Sequence, residues 1–281
     1  SFHDDAPTVT TNVTATSLVV DESTLGTNDT ENFASAFTVD YRADGAGTTV
    51  YSLGVSSAGV DSGLDDVATG QNVLLYLESG SIVGRVGNSF GAAAFTLTVT
   101  SGTGEVSLDQ IRALTHPTGG TGSPDELVTL ATGAVTLIAT VTDRDGDIAS
   151  ANIDLGGRVS FHDDAPTVTT NVTATSLVVD ETTLGTNDLE NFASAFSVNY
   201  NADGAGTTVY SLGVSSAGVD SGLDDVATGN SIYLYQVGNM VYGQVGNNTG
   251  TYNPVGTNAF TLTVTSGTGE VTLDQIRALT H

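Results

Sequence analysis

The sequence predicts an all-β fold of tandem sandwich modules, and three observations carry that prediction. The apolar residues are mostly Val, Leu, Ile and Ala, accompanied by 34 Gly and many Thr and Ser. That composition suits strands joined by tight turns. Short segments alternate apolar and polar residues, with turn residues between them about every 8–12 positions. The chain also repeats itself: SFHDDAP at Ser1 returns at Ser160, 159 residues later. From Asp5 to Gly70 and from Asp164 to Gly229 the copies differ at five positions, Ser23/Thr182, Thr30/Leu189, Thr38/Ser197, Asp40/Asn199 and Arg42/Asn201. Similarity this high between neighbours points to recent tandem duplication and a longer array, and a repeat sets the domain count better than length does.

Taken in order, residues 8–20 are rich in Thr and Val with loose alternation. Phe37, Val39 and Tyr41 alternate, and Val50, Ser52 and Gly54 do so less cleanly. Residues 73–77 and 82–86 flank Glu78-Ser79-Gly80-Ser81, which reads as a hairpin loop. Residues 94–100, AFTLTVT, place Phe95, Leu97 and Val99 on one face. One short helix is expected from Ser107, as N-cap, with Gln110 three residues on as its capping-box partner. Ile111 and Leu114 would then face the core. Residues 127–130, 135–141 and 148–159 complete a set of eight or more strands, a sandwich of the immunoglobulin kind. No amphipathic crossover helices alternate with the strands, as a parallel α/β fold would need.

Residues 1–6 read as the end of a preceding module and its linker. Residues 7–164 form the first repeat with its C-terminal linker, and 165–281 a second repeat without its last strands. In the alternative frame, 117–281 is a complete module and 1–116 a partial one. His116 and His281 are 165 residues apart, so the second copy carries six additional residues, around 248–258.

The 32 acidic residues face six Arg and no Lys, a formal net charge of −26. Phosphate-backbone binding rests on Lys and Arg clusters and is excluded as a main activity. Anionic membrane surfaces are disfavoured for the same reason. Part of the charge reads as a solvated, self-repelling surface; clustered carboxylates also await hard cations, which take oxygen ligands. With no Cys, disulfides, thiolate metal sites and cysteine nucleophiles are excluded, and bound metal is an alternative staple. No run of about 18 apolar residues is present to span a membrane. No signal peptide is legible, in a chain that reads as an internal excerpt. Disorder, the competing reading of so acidic a chain, is opposed by the strand alternation.

Two acidic phrases stand out. Asp143-Arg144-Asp145-Gly146-Asp147 lies where one strand ends and the next begins. Three carboxylates within five residues repel unless a cation or solvent neutralises them, and a turn gathers alternate side chains as Ca²⁺ loops do. It is not an EF-hand, since Gly falls fourth rather than sixth; an ordinary polar hairpin turn is the plainer reading. The second phrase is the Asp163-Asp164-Ala165-Pro166 linker, whose plainer reading is a solvated hinge. A strand over 148–161 would span roughly 45 Å at about 3.3 Å per residue. It would place the DRDGD turn at the pole opposite this linker, near the opening His3-Asp4-Asp5. The strand over 8–20 would carry Asp21-Glu22 to the exit pole beside Asp163-Asp164, and Asp180-Glu181 are the equivalents in the second copy. Each linker would then meet acidic clusters from both flanking modules and bind Ca²⁺.

The ordered succession VDE, AFTLTV, TGEVSLDQIRALTHP, ATVTDRDGD and HDDAP resembles the tandem repeats of giant type I-secreted bacterial RTX adhesins, of the secretion-target repeat class. The likeness covers essentially the whole chain, and HDDAP is also similar to the calcium linker of cadherins, which makes the expected modules cadherin-like. The resemblance implies a Ca²⁺-rigidified extender secreted to the Gram-negative outer surface. It would hold a ligand-binding tip away from the cell in biofilm formation. It carries the metal role to Asp143, Asp145, Asp147, Asp163 and Asp164. The partners it implies are neighbouring repeats of a monomeric chain. Tandem glycine-rich nonapeptides are absent; Gly119-Gly120-Thr121-Gly122 occurs once and reads as a loop.

Catalysis finds no support. The four His fall at two repeated positions, His3/His162 and His116/His281. His162 reads as linker packing rather than as a ligand, and His116 as a dipole interaction after the short helix. No Ser-His-Asp ordering or phosphate loop stands out, so no enzyme is expected. The alternative function is a glycan- or protein-binding module acting through the divergent loop of the second copy. Tyr233, Tyr235, Tyr242 and Tyr252 cluster there, either covering sheet surface or marking a contact patch.

Overall fold

Residues 135–142 show most directly how the sequence builds the fold. In VTLIATVT, Val135, Leu137, Ala139 and Val141 are all fully buried while the residues between them are half-buried. That period of two puts one face of the strand on a core. The computed structural model describes residues 5–117 and 126–280, and among them it is an all-β sandwich fold without α-helices. Asp4 and the Gly119–Gly122 loop therefore lie outside the described residues.

Two compact units form. The first comprises Ser1–Pro166 together with Tyr200–Ala205. Its strands are β1 (Thr8–Thr11), β2 (Leu18–Asp21), β3 (Asp29–Asn32), β4 (Phe37–Asp40) and β5 (Thr48–Val55). They continue as β6 (Val60–Asp65), β7 (Asn72–Glu78), β8 (Ser81–Val86), β9 (Ala93–Thr100) and β10 (Glu105–Gln110). The set closes with β11 (Leu127–Thr129), β12 (Val135–Thr142), β13 (Ile148–Asp154) and β14 (Val159–His162).

One layer is a six-stranded sheet in the order β3-β10-β9-β8-β7-β6. The other combines β13-β12-β5, β11-β14-β2 and the pair β1-β4. β5 packs across β7, β8 and β9, and the Phe95 and Phe161 rings meet between the layers at 5.2 Å. The β7–β8 hairpin turns on Ser79 and Gly80, both at positive φ (50° and 88°), the conformation a two-residue primed turn needs.

The expected helix at Ser107 is not there: those residues form β10. Val106, Leu108 and Gln110 are buried in alternation, so the period-two burial overrides a local capping-box match. Among the described residues helical geometry is confined to short 3-10 turns, one of them Glu22–Thr24. The expected strand over 8–20 is two strands, β1 and β2, in different sheets. The expected continuous strand over 148–161 also breaks, at residues 155–158, into β13 and β14. Asp154 accepts hydrogen bonds from the Gly133 and Gly156 amides at 2.8 and 2.7 Å. Gly156 lies so close to the Ala131 backbone that a Cβ would sit 2.3 Å from its carbonyl oxygen. That bend moves the chain from one sheet to the other, where β14 runs parallel to β2 with His162 opposite Asp21.

The second unit, Thr167–Asn199 with Gly206–His281, has β15 (Thr167–Thr170), β16 (Asp188–Asn191), β17 (Phe196–Asn199) and β18 (Val219–Asp224). β19 (Ser231–Val237), β20 (Met240–Val245), β21 (Asn258–Thr265) and β22 (Glu270–Gln275) follow. Its six-stranded sheet, β16-β22-β21-β20-β19-β18, repeats that of the first unit. Residues 177–180 and 207–214, equivalent to β2 and β5, form no strand. In the first unit those strands are paired by β14 and β12, and the second unit contains no counterpart of either. Its apolar face is accordingly open: Phe37 is 7% exposed and its equivalent Phe196 40%. A cavity of about 560 Å³ there is lined by Phe192, Phe196, Tyr210, Leu212, Leu262 and Val271 among others.

Candidate metal centre

Glu22 is an unusual residue for a sandwich interior, being 1% exposed. It enters through the 3-10 turn Glu22–Thr24, which Asp21 caps by accepting the Ser23 amide at 2.8 Å. The cap bonds hold the Asp21 carboxyl below its ordinary range. Asp21 itself is exposed. One oxygen of Glu22, Oε1, accepts from the Leu114 amide at 2.8 Å and from Gln110 Nε2 at 2.7 Å. The Gln110 donor follows from β10 being a strand that aims this side chain inward, and the Leu114 amide comes from the segment after it, bridged to Asp66. The other oxygen, Oε2, is buried with no partner. Burial outweighs the two donated hydrogen bonds, and with the nearby Asp203 and Asp164 charges it pushes the Glu22 carboxyl up to about 8.

The parallel β2–β14 pairing carries Asp163 and Asp164 to the same place. Glu22, Asp163, Asp164 and Asp203 each offer a carboxylate oxygen, and these lie within 4.8 Å of one another. Asp164 is 4% exposed. Its Oδ2 accepts from the Ala202 amide at 3.0 Å, while Oδ1 is buried without a partner. Asn201, at φ 53°, donates its side-chain amide to the Ala165 carbonyl at 2.7 Å. Asp203 is raised from its ordinary value by burial and by the charges of Asp163 and Asp164. Four carboxylates converging in this way, two with orphaned buried oxygens, are unstable as a bare anionic group. The donor set is all oxygen, which suits a hard cation.

The DRDGD turn is a separate group, linking β12 to β13. Asp143, Asp145 and Asp147 each place an oxygen within 4.8 Å of the others. Asp143 is 5% exposed; its Oδ1 accepts the Gly146 and Asp147 amides at 3.1 and 2.8 Å, and its Oδ2 is buried without a partner. Gly47 is needed beside this turn, because a Cβ there would sit 1.8 Å from the Thr142 carbonyl oxygen.

Asp5 is exposed and belongs to neither group. In the second copy, Asp180 caps its turn through the Thr182 amide, which lowers its carboxyl. Glu181 accepts from Gln275 Nε2 and the Leu279 amide, repeating the Glu22 bonds. Asp203 is a member that the sequence does not single out, being distant from the acidic phrases. His116, expected after a helix end, follows strand β10 instead and stands beside the carboxylates in a separate grouping with Glu22 and Asp163.

The divergent loop, residues 247–258, is tied to its own sheet. Gln244 is fully buried, donating to the Asn253 carbonyl at 2.7 Å and accepting the Asn253 amide at 3.0 Å. Tyr235 is 1% exposed and donates to the Asn247 carbonyl, and the Tyr242 and Tyr252 rings pack at 4.5 Å. Three of the four tyrosines thus hold the additional residues in place.

Fold and site together define an all-β repeat module with convergent carboxylates at a linker. The chain belongs to a family of domains of unknown function, DUF5801, which it matches over residues 17–156 and 176–281. No curated protein matches the chain. No solved structure matches it either.

Proposed function

We propose that the chain is a non-catalytic structural extender of a bacterial surface adhesin. Ca²⁺ held at the linker carboxylates stiffens it, so that it projects a binding tip in surface attachment and biofilm formation. The observation that carries this reading is the pair of buried, partnerless oxygens on Glu22 and Asp164, joined by Asp163 and Asp203. An oxygen-only donor set of that charge suits Ca²⁺ better than a softer metal. Asp163 and Asp164 belong to the HDDAP phrase, whose likeness to adhesin and cadherin linkers supports the same role. The DRDGD turn supplies a second, independent oxygen group.

Binding to the folded chain adds stability as RT ln(1 + [L]/Kd), about 2.7 kcal/mol when free Ca²⁺ reaches about 100 times Kd. Small-angle scattering and thermal melts of the chain, first with millimolar Ca²⁺ and then with chelator, test the reading. Calcium should raise the melting temperature and give a longer, single-valued maximum dimension. The Asp163→Ala/Asp164→Ala double variant should lose the gain in length while the sandwich stays folded. Identical scattering and melts in both conditions would leave the clusters as solvated surface and remove the extender mechanism.

A further inference from the structure

His116 is 8% exposed and stands against the same carboxylates. Its Nε2 lies 3.2 Å from the Phe161 carbonyl oxygen. A carbonyl only accepts, so Nε2 carries the proton and the neutral ring has its lone pair on Nδ1. Nδ1 is buried with no hydrogen-bond partner, yet it lies 3.4 Å from Asp163 Oδ1. One atom each of Glu22, His116 and Asp163 fall within 4.8 Å of one another. Two lone-pair donors facing at this distance repel unless something positive lies between them. A proton on Nδ1 would answer the Asp163 contact, but Glu22 Oε2 would need a second proton of its own. A metal ion answers all three.

We propose that Glu22, His116 and Asp163 form a mixed nitrogen–oxygen position for a first-row transition divalent cation of the Zn²⁺ or Co²⁺ type, distinct in preference from the oxygen-only group it adjoins. Imidazole nitrogen suits such ions, whereas Ca²⁺ takes oxygen. The Phe161 carbonyl plays the part that an outer partner plays for metal-ligating histidines, fixing the tautomer and the ring orientation. Both carboxylates are shared with the proposed Ca²⁺ group, but the inference needs only the geometry around His116 and stands apart from the extender role. Asp164 and Asp203 complete the oxygen side and are not required for the nitrogen side.

The experiment is a Co²⁺ titration of the untagged full chain in millimolar Ca²⁺, read by visible absorption. It is paired with ¹⁵N spectra of the imidazoles with and without Zn²⁺. One Co²⁺ per chain should bind, and the His116 Nδ1 resonance should move on adding Zn²⁺ while Nε2 stays protonated. His116→Asn should weaken Co²⁺ binding by about tenfold or more and leave the Ca²⁺-induced melting shift intact; His162→Asn should change neither. Unaltered Co²⁺ binding in His116→Asn would overturn the proposal. So would a doubly protonated His116 ring that ignores Zn²⁺, a measurement on the parent chain that holds even if the variant misfolds. Joint loss of the Co²⁺ and Ca²⁺ responses would mean a single unselective site and would also overturn it. Co²⁺ binding through His116 without any Ca²⁺ response would leave this proposal standing and the extender reading without support.

Discussion

Glu22 makes the chemistry of the site depend on pH. Its carboxyl sits near 8 in the folded chain against an ordinary value near 4.3. Between those values the folded state holds a proton that the unfolded state has released. The contribution of this one group to stability without metal is therefore greatest below the lower value and declines as pH rises towards 8. The decline is at most a few kcal/mol, at about 1.4 kcal/mol per unit. Glu22→Gln should flatten this slope in urea melts run in chelator from pH 5 to 8, and raise stability at the alkaline end. An unchanged slope would mean that the carboxyl is not held protonated. A second residue-scale feature is Asp66, with 1% of its side chain exposed and paired to Arg112 at 2.6 Å. Burial pushes its carboxyl up, but the Arg112 and Thr69 hydrogen bonds win and hold it below the ordinary range. Arg112→Ala leaves that charge buried and unpaired, and should cost about 3–5 kcal/mol in chemical denaturation. A variant as stable as the parent would assign the pair no structural weight.

At the scale of elements, period two was the dependable signal. AFTLTVT reads as a strand from its own residues, and β9 places Phe95 and Leu97 at 0% exposure. The stretch at Ser107 misled because a capping box is four residues long and says nothing of the partner surface. In the fold, β9 and β3 flank β10 on either side, and ladder hydrogen bonds outweigh one turn of helix. The break between β13 and β14 was written in Asp154-Leu155-Gly156-Gly157, but glycine pairs mark loops and bulges alike. Only the approach of Gly156 to the Ala131 backbone makes it a crossing between sheets. That crossing aligns β14 with β2 and delivers Asp163 to Glu22. Asp203 and His116 were illegible for the same reason: nothing local relates them to residue 22.

For the molecule as a whole, the two copies test what a strand owes to its partner. TTVYSLGV is identical at 48–55 and 207–214, yet it is a strand only in the first unit, where β12 pairs along its full length. The open face of the second unit should therefore accept that segment supplied separately. A fragment spanning residues 126–164 should bind the chain saturably and raise the melting temperature of the second unit. Tyr210 should become shielded from quenchers, as Tyr51, at 7% exposure, already is in the first. Absence of any shift at high fragment concentration would mean that the face has repacked.

Taken alone, the sequence determined the all-β class, the repeat and the acidic phrases, because alternation, periodicity and composition are properties of neighbouring residues. Which carboxylates meet was decided only by tertiary structure. Convergence depends on a parallel pairing between β2 and β14, more than a hundred residues apart in the chain, and on a glycine bend that changes sheets. Those are contacts between elements, and their energies appear only once the layers have closed on one core.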